Sequence, residues 1–539
     1  MSSPQSRHLI QELRNPAIYP HPVDTVEVVQ THISWVIIAG DFVYKIKKAV
    51  DFGFLDFSTL RKRQYYCRQE VTLNRRLCPD LYLGVVSIRD DNGSLRIGGK
   101  NGRVVECAVQ MHRLPRERML DHLLMDDKVT GEMVDAIADK LAAFHDAADT
   151  SSKIARFGSE RVIKQNWDEN FEQTRDFVYD TITVYQFEYL RAWVSASITR
   201  NRQLFKRRVH DGHIRDGHGD LRASAICVKN GICIFDCIEF NHRFRYADVA
   251  ADVAFLAMDF QAKGHQGLAE RFVQRYVELS EDTELLDVLP FYASYRAYVR
   301  GKVESFRAVD PEVDTNEQNQ ARRIARDRFV LAADFAAARQ PPLLLITCGL
   351  SGSGKSAVAG PLSERRNMTV IASDVVRKEL AGLNLTERQR GDFQAGIYTL
   401  AFTRRTYHTM LLRARELLLA GKSVVLDATF SDRGWRLRAG ELASETGAIF
   451  LCLECRARDE EIHRRLKVRE TDETVTSDAT WEIYLAQRKT FDPVSELNDW
   501  QHVLLDTDKA LADAVAAADE ALDERLRPNR NDDSVDISQ

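Results

Sequence analysis

The apolar residues of the last third of the chain alternate between two patterns. Short, largely apolar runs occupy residues 343–346, 369–372, 423–427 and 448–453, and segments of helical periodicity separate them. Short continuous apolar runs are typical of strands covered on both faces. Their alternation with helices predicts an α/β domain over 341–526, with a parallel sheet and a ligand at the carboxyl ends of its strands.

The first 340 residues follow a different pattern. Apolar, β-branched runs at 35–38, 42–46 and 104–111 predict a small sheet-rich lobe over residues 1–113, whereas helical periodicity dominates from 129 onward and predicts a helical lobe over 114–340. An alanine-rich segment then ends at Gln340-Pro341-Pro342, where proline stops the helix. Residues 527–539 are polar and aperiodic, so we expect a disordered tail.

Composition narrows the class of protein. The 539 residues include 75 Lys and Arg against 80 Asp and Glu, for a formal charge of −5, so a basic surplus for binding duplex nucleic acid is missing. No apolar stretch approaches the roughly 18 residues of a membrane span, and the start lacks a signal-peptide apolar region. Nine scattered cysteines are typical of reduced thiols, and we expect a cytoplasmic protein. The oligomeric state is not encoded in any motif.

One octapeptide between the first run and the next helix fits G-x-x-x-x-G-K-[ST]. The glycines let backbone N–H groups surround the α and β phosphates of a nucleotide at a helix N-terminus. The lysine should reach the β and γ phosphates, and the final hydroxyl should bind Mg²⁺. A chance glycine-rich turn is the alternative, but the flanking strand and helix favour a phosphate-binding loop. Its residues are Gly349, Leu350, Ser351, Gly352, Ser353, Gly354, Lys355 and Ser356.

Further polar residues follow the later strands. Asp427 closes one and is a candidate Mg²⁺ ligand, although a helix cap would look similar. Asp374 follows another; it could take a proton from a hydroxyl placed against the γ-phosphate, while Arg377, one turn on, could hold an anionic part of the acceptor. An N-cap aspartate with a surface arginine is the alternative.

A basic helical stretch over 461–469 follows the fourth run and predicts a lid over the transferred phosphoryl group, with a solvated helix face as the alternative. The candidate lid arginines are Arg464, Arg465 and Arg469. Together with the phosphate-binding loop, Asp374, Arg377 and Asp427, this stretch resembles small phosphate-loop kinases of the gluconate-kinase, zeta-toxin and polynucleotide-kinase type. The resemblance covers about 185 residues and implies ATP and Mg²⁺ as cofactors.

A second motif lies in the amino-terminal part. His218-Gly-Asp220-Leu and Asp236, sixteen residues later, resemble the catalytic loop and metal-binding aspartate of the aminoglycoside phosphotransferase and protein-kinase-like fold. The resemblance implies an α+β, bilobal kinase-like domain. It assigns the remaining parts as follows: Lys45 to the nucleotide phosphates, Glu70 to the ion pair with that lysine, Gln110 to the strand and hinge beside adenine, and Asp248 and Asp252 to bracing acids.

One position departs from that pattern. The kinase-like catalytic loop normally carries an asparagine for a second Mg²⁺ at the place that Ala225 occupies here. Alanine cannot bind a metal ion. Phosphotransfer with one metal ion and a nucleotide- or metabolite-sensing module both remain open for this domain.

The whole chain is similar to proteins described as bifunctional aminoglycoside phosphotransferase-like/ATP-binding proteins, with matching segments such as 51–58, 80–86 and 235–241. We therefore expect an ATP- and Mg²⁺-dependent kinase whose carboxy-terminal domain phosphorylates a hydroxyl of a small molecule. Two alternatives are a polynucleotide 5′-hydroxyl kinase, using Arg404, Arg405 and the lid, and a regulatory switch whose amino-terminal domain controls the other.

Overall fold

The computed structural model describes residues 4–53, 55–91, 93–385, 387, 395–470 and 478–529. The chain divides into two compact units. The first comprises Met1–Ile163 and Phe205–Arg296, and the second comprises Lys164–Leu204 and Ala297–Gln539. We number strands and helices in chain order and describe each unit by itself.

The first unit contains an antiparallel sheet in the order β1-β2-β3-β6-β4-β5. Each predicted strand run of this region lies in one of its members, and helix α2 packs on β4 and β6. Two clusters of buried side chains line the sheet, one around Ile37 and Tyr44 and one around Val109 and four cysteines. The elements are α1 Pro4–Glu12, β1 Val26–Gln30, β2 Ser34–Ala39, β3 Phe42–Lys47, α2 Leu60–Asn74, β4 Tyr82–Asp91, β5 Ser94–Ile97 and β6 Arg103–His112.

Helices and two short strand pairs make up the rest of this unit. The pairs are β7 with β10 and β8 with β9, and both flank the His-Gly-Asp segment. The elements are α3 Leu120–Met125, α4 Gly131–Ala147, α5 Ser152–Ala155, β7 Ile214–Asp216, β8 Ile226–Val228, β9 Ile232–Ile234, α9 His242–Arg245, β10 Tyr246–Asp248, α10 Val249–Gln261 and α11 Gln266–Ser280. Helices α6 Glu160–Thr174, α8 Arg202–His210 and α12 Leu285–Ala308 cross the division between the units.

The second unit is built on the predicted parallel sheet, with strand order β12-β13-β11-β14-β15. Its central strands are buried along their whole length because helices cover both faces. The elements are α7 Val184–Arg200, α13 Thr315–Ala337, β11 Leu343–Cys348, α14 Lys355–Arg365, β12 Thr369–Ala372, α15 Ser373–Ala381, α16 Leu400–Leu419, β13 Val424–Asp427, α17 Arg433–Thr446, β14 Ile449–Arg456, α18 Asp459–Glu470, α19 Trp481–Thr490, β15 His502–Asp506 and α20 Leu511–Leu526.

The division of the chain differs from the domain limits expected at residues 113 and 340. Helices α7 and α13, expected in the helical lobe, belong to the unit of the parallel sheet. Helix α7 packs against α13, α17 and α20, and the indole of Trp193 donates a hydrogen bond to the carbonyl of Arg339. A proline break marks the end of a helix, but it carries no information about the partner on which that helix packs.

The start predicted for the disordered tail, residue 527, is too early in the chain. Asn529 accepts a hydrogen bond from Gln186 on α7 and donates to the carbonyl of Val330 on α13, so residues 527–529 are part of the second unit. The rest of that tail, 530–539, lies outside the described residues. Within the described ranges, no helix combines the length and apolar character needed to cross a bilayer.

The expectation of uniformly reduced thiols is wrong. Cys78, just after α2, and Cys233, in β9, form a disulfide across 155 residues of sequence. The other seven cysteines are free and buried. Scattered spacing gave no sign of the pair, because the two cysteines meet only when α2 and β9 come together.

This disulfide leads to a test of stability. Reduction, or the double variant Cys78→Ser/Cys233→Ser, should lower the free energy of unfolding of the first unit by about 3–5 kcal/mol, since the bond closes a loop longer than 100 residues. Urea denaturation with and without dithiothreitol measures the change. Titration of thiols in the denatured, unreduced protein should find seven; a count of nine would contradict the pairing.

Candidate functional site

The phosphate-binding loop connects β11 to α14 at the carboxyl edge of the parallel sheet. Its three glycines, Gly349, Gly352 and Gly354, have φ angles of 128°, 82° and 91°, a region that other residues rarely adopt. Lys355 begins α14, is 9% exposed and donates from Nζ to the carbonyl of Leu350 at 2.8 Å. The lysine thus lies across the loop, as a phosphate-binding lysine must.

Two of these glycines are also required by packing. A Cβ on Gly349 would lie 2.5 Å from the carbonyl oxygen of Cys455, and one on Gly352 would lie 2.8 Å from Ile462 and 3.1 Å from Leu466. Ile462 and Leu466 belong to α18, the predicted lid helix. The buried face of that helix therefore rests directly on the phosphate-binding loop.

The contact between the loop and α18 predicts the effect of a single methyl group. Gly352→Ala should destabilise the second unit by about 1–3 kcal/mol, because the Cβ overlaps α18 and φ is positive. It should also weaken ATP binding. Gly360→Ala is the matched control, since nothing lies within 4 Å of its Cβ within α14. Urea denaturation and equilibrium ATP binding give both effects; equal behaviour of the two variants would contradict the packing argument.

Asp427 ends β13 beside the loop and is 6% exposed. Its Oδ1 accepts a hydrogen bond of 2.8 Å from the hydroxyl of Thr347, near the carboxyl end of β11. It does not cap a helix, since α17 begins later and is capped by Asp432. Ser356 stands exposed in the first turn of α14. Carboxylate and hydroxyl oxygens at this edge match the ligands that Mg²⁺ prefers.

The residues of this edge fit a bound nucleotide and its metal ion. The hydroxyl of Ser353, inside the loop, is buried and has no hydrogen-bond partner, so a polar group is left unsatisfied there. Ser356 and Asp427 would hold Mg²⁺. Across the described ranges no group of three or more His, Cys, Asp and Glu side chains could hold a metal ion.

Asp374 lies in the first turn of α15, directly after β12. It is not the N-cap, which is Ala372, and Ala372 pairs in register with Asp427 on the neighbouring strand. The helix dipole favours a carboxylate at this place. The register therefore brings Asp374 and Asp427 to the same edge of the sheet, as expected from the sequence.

The electrostatics of Lys355 show that both acids act on it. Burial lowers the pKa of Lys355, and the negative charges of Asp427 and, more weakly, Asp374 oppose this shift. A buried ammonium group at a helix N-terminus, with two carboxylates near enough to act on its pKa, is an arrangement in which a triphosphate can replace lost hydration.

Arg377 lies in α15 but does not extend freely into the site. It is 6% exposed, donates from Nη1 to the carbonyl of Ile397 and to the hydroxyl of Thr403, and stacks 4.7 Å from the ring of Tyr398. Its Nε is buried without a hydrogen-bond partner. Arg377, Tyr398 and Thr403 therefore form a wall beside Asp374, and the Nε of Arg377 remains available to donate a hydrogen bond.

The three lid arginines differ in position. Arg465 is part-buried, donates to the carbonyl of Thr507 at 2.5 Å, and has its Nη1 3.3 Å from the place of a Cβ on Gly354. Arg464 is 65% exposed and paired with Glu461. Arg469 lies in the last turn of α18. Arg465 is thus the lid arginine that the structure places against the phosphate-binding loop.

Two contacts of the loop, and one hydrogen bond near Asp374, were missing from the sequence-based prediction. Gln487 on α19 accepts a hydrogen bond from the backbone N of Ser351, and the hydroxyl of Thr507 donates to the carbonyl of Ser353. The hydroxyl of Tyr398 donates to Asp478 at 2.7 Å, and burial, with the charge of Asp374, raises its pKa. These residues follow no motif, so only their place in space identifies them.

The first unit contains a second cluster of charges. Lys45 Nζ lies 2.9 Å from Glu70 Oε1 and 2.6 Å from Asp236 Oδ1, so three residues separated by up to 191 positions meet as the resemblance implied. The charge of Lys45 holds the pKa of Asp236 far below its usual range. Asp236 has a positive φ of 65°, a conformation that aspartate rarely adopts and that is concentrated at functional sites.

Lys47 is a second lysine of this cluster. Its Nζ bonds Glu70 Oε2 at 2.6 Å and also contacts Glu239. Burial would raise the pKa of Glu70, but the charges of Lys45 and Lys47 lower it overall. Positions 45 and 47 lie on one face of β3 because side chains alternate along a strand. The strand period could have identified Lys47 from the sequence.

The His-Gly-Asp segment is held by buried groups. His218 is fully buried, its Nε2 donates to the carbonyl of Phe235, and its Nδ1 accepts from the backbone N of Asp220. Burial lowers the pKa of His218. Asp252 accepts from the backbone N of His218 and of Gly219, so it braces the segment as expected. Asp248 instead pairs with Arg208 in a buried network.

Two further sequence-based assignments look different in the structure. Gln110 lies inside β6, paired with Tyr44 on β3 and Gly84 on β4, so its backbone faces neighbouring strands, not an open hinge. Its side chain donates to the hydroxyl of Tyr44. Asp220 is paired with Arg222, whose Nε and Nη2 lie 3.0 and 2.8 Å from the same carboxylate oxygen.

A family model and two solved structures are each similar to a part of this chain. Residues 344–494 match a family model described as an AAA domain. Among solved structures, a gluconokinase from Sinorhizobium meliloti 1021 is 22% identical and covers 36% of this chain and 100% of its own, with a TM-score of 0.26. A choline/ethanolamine kinase family protein from Mesorhizobium loti is 11% identical and covers 61% and 94%, with a TM-score of 0.36. TM-scores this low do not by themselves establish a shared fold.

Two mycobacterial proteins are similar along most of the chain. The uncharacterized protein Rv2004c of Mycobacterium tuberculosis (strain ATCC 25618 / H37Rv) is 31% identical over 470 residues, which is 86% of this chain and 91% of that protein. The uncharacterized protein Mb2027c of Mycobacterium bovis gives the same values. At this identity and coverage, the chain belongs to the family of these mycobacterial proteins.

Proposed function

We propose that the protein is an ATP- and Mg²⁺-dependent phosphotransferase whose second unit transfers the γ-phosphoryl group to a hydroxyl of a small molecule. The observation that carries this proposal is the convergence of Lys355, Asp374 and Asp427 at one edge of the parallel sheet. Each is a group that phosphoryl transfer needs: a cation on the phosphates, a proton acceptor and a metal ligand.

The proposed step moves one proton and one phosphoryl group. The acceptor hydroxyl gives its proton to the carboxylate of Asp374 while its oxygen forms a bond to the γ-phosphorus; the bond from that phosphorus to the β–γ bridging oxygen breaks, and ADP leaves. Lys355 and Arg465 neutralise charge on the phosphate oxygens. Ser356 and Asp427 would hold Mg²⁺, which would supply further positive charge to the phosphates.

The wall formed by Arg377, Tyr398 and Thr403 is the proposed acceptor side. It lies next to Asp374, which acts on the pKa of Tyr398, and it combines an aromatic ring, a hydroxyl and a buried guanidinium. Such a mixture suits a polar small molecule. Arg404 and Arg405 are exposed on α16, but they do not form an aromatic surface on which nucleotide bases could stack. An oligonucleotide acceptor is therefore the less favoured candidate.

For the first unit we propose a nucleotide site at Lys45 and Asp236, acting either in a second kinase or in a sensing module. A specific observation favours sensing: one carboxylate oxygen of Asp220, the residue expected to take a proton, already accepts a hydrogen bond from Arg222 Nε and lies 2.8 Å from its Nη2. If this unit regulates the other, Lys45→Ala should change the rate of the phosphate-binding-loop unit. Identical rates for wild type and Lys45→Ala, at every ATP concentration, would rule the regulation out.

The test is turnover of γ-³²P-ATP with a cell metabolite extract and, separately, with a short oligonucleotide. Wild type is compared with Lys355→Ala and with Asp220→Ala. Label transferred to a small molecule and lost only with Lys355→Ala supports the proposal. Label on the oligonucleotide would favour the polynucleotide alternative, and a product lost only with Asp220→Ala would show that the first unit is itself a kinase.

A further inference from the structure

Arg222 is a charged residue of the first unit that none of the sequence motifs assigns. It follows the His-Gly-Asp segment by two positions and lies in the loop that leads to Ala225. Both its Nε and its Nη2 bond one oxygen of Asp220. Its side chain is 24% exposed, against 1% for Lys47, so part of the guanidinium remains accessible to a ligand.

The other cations of this cluster pair with carboxylates other than Asp220. Lys47 is buried between Glu70 and Glu239, and Lys45 is shared by Glu70 and Asp236. Arg222 is therefore the cation on the Asp220 side. Its charge reaches Asp236 as well, because Asp236 contributes, after Asp220, to raising the pKa of Arg222.

The loop that carries Arg222 is rigidly held. The backbone N of Ala223 donates to Asp259, which is 9% exposed, at 2.9 Å, and Arg296 donates from Nη1 to the carbonyl of Gly219 at the same distance. Ala225 is 2% exposed, and its carbonyl accepts from the backbone N of Phe235. A guanidinium on such a loop keeps its place without a bound ligand, as a preorganised charge should.

The negative charge of a nucleoside triphosphate indicates a role for the Arg222 guanidinium. A nucleoside triphosphate needs several positive charges, and a kinase-like site usually receives part of them from two metal ions. The side chain at 225 cannot hold the second ion, whereas a cation already stands on the facing carboxylate, Asp220. We propose that Arg222 is a phosphate-binding residue that takes the place of the second metal ion in the nucleotide site of the first unit. This inference rests on the proposed nucleotide site at Lys45 and Asp236.

The test uses the full chain with the other nucleotide site disabled by Lys355→Met. Equilibrium binding of ATP and of adenosine is measured with and without Arg222→Ala, at several Mg²⁺ concentrations. We expect Arg222→Ala to weaken ATP binding about 10- to 100-fold, the usual effect of losing a hydrogen bond to a charged group, and to leave adenosine binding unchanged. Arg222→Lys should retain most of the affinity, and Arg96→Ala, an exposed arginine on β5, should retain all of it.

The dependence on Mg²⁺ gives a second readout. Once free ATP is saturated with Mg²⁺, the slope of the logarithm of ATP affinity against that of Mg²⁺ concentration counts any second ion, and it should be near zero if Arg222 replaces that ion. A slope near one would overturn the inference, as would an equal loss of ATP and adenosine binding in Arg222→Ala, or no loss at all. Loss of ATP binding in Lys45→Ala but not in Arg222→Ala would overturn it while retaining the nucleotide site. Failure of the Lys355→Met protein to bind ATP would overturn both.

Discussion

Lys355→Met should lower the rate of phosphotransfer by about 1,000-fold. The ammonium group lies across the phosphate-binding loop, and removing one preorganised charge from a phosphoryl-transfer site costs about 100- to 1,000-fold or more. Stability should change little, since methionine keeps the length of the buried stem and burial already disfavours the charged form. Initial rates with γ-³²P-ATP and urea denaturation measure the two effects.

Lys422→Met is the matched control for this prediction. Lys422 is an exposed lysine of the same unit, just before β13, and its loss should leave the rate unchanged. Wild-type turnover by folded Lys355→Met would contradict the assignment of the loop as the catalytic phosphate site. A loss of turnover that follows a loss of structure would be visible in the denaturation curve.

Asp374→Asn should lower turnover by about 100- to 10,000-fold while ATP binding is retained. Asparagine has the shape of the aspartate but cannot accept the proton of the acceptor hydroxyl, and general-base catalysis contributes a factor of this size. Asp374 shares the sheet edge with Asp427 and acts on the pKa of both Lys355 and Tyr398, so we expect it to lie between the bound phosphates and the proposed acceptor wall.

A helix-terminus effect must be separated from catalysis in this variant. Asp513 occupies the first turn of α20, as Asp374 does in α15, and it is exposed. Asp513→Asn should therefore reproduce any loss of helix-dipole stabilisation, a few tenths to 1 kcal/mol, without reducing turnover. Equal turnover of the two variants would show that Asp374 does not act as the base.

Taken together, the variants at Lys355, Asp374 and Arg222 assign each activity to one unit. The first two lie in the unit of the parallel sheet, and Arg222 lies in the unit that carries Lys45 and Asp236. ATP binding that survives Lys355→Met and Lys45→Ala separately, but not the double variant, would show two nucleotide sites in one chain. The acceptor would then be sought among the products whose label is transferred by the second unit and not by the first.

The phosphate-binding loop and its sheet could be predicted from the sequence because their signals are local. The apolar runs that became β11, β12, β13 and β14 are continuous, and buried parallel strands need such runs. The spacing from Gly349 to Ser356 is set by the size of a phosphate group. The edge strand β15 was missed, since alternate residues of it are exposed and the run is short.

The remaining features depend on which distant segments pack together. The disulfide between Cys78 and Cys233, the contact of Gln487 with the loop, and the pairing of Arg222 with Asp220 in a rigid segment arise only when the chain is folded. The assignment of α7 and α13 to the second unit has the same origin.

The sequence by itself was enough to predict the nucleotide chemistry proposed for this protein, because phosphate binding requires particular residues at short, regular spacings. Tertiary structure decided the limits of the two units, the choice of Arg465 among the lid arginines, and the partners of Lys45 and Asp220. Those outcomes come from side-chain contacts across tens to hundreds of residues, and no pattern along a single segment records them.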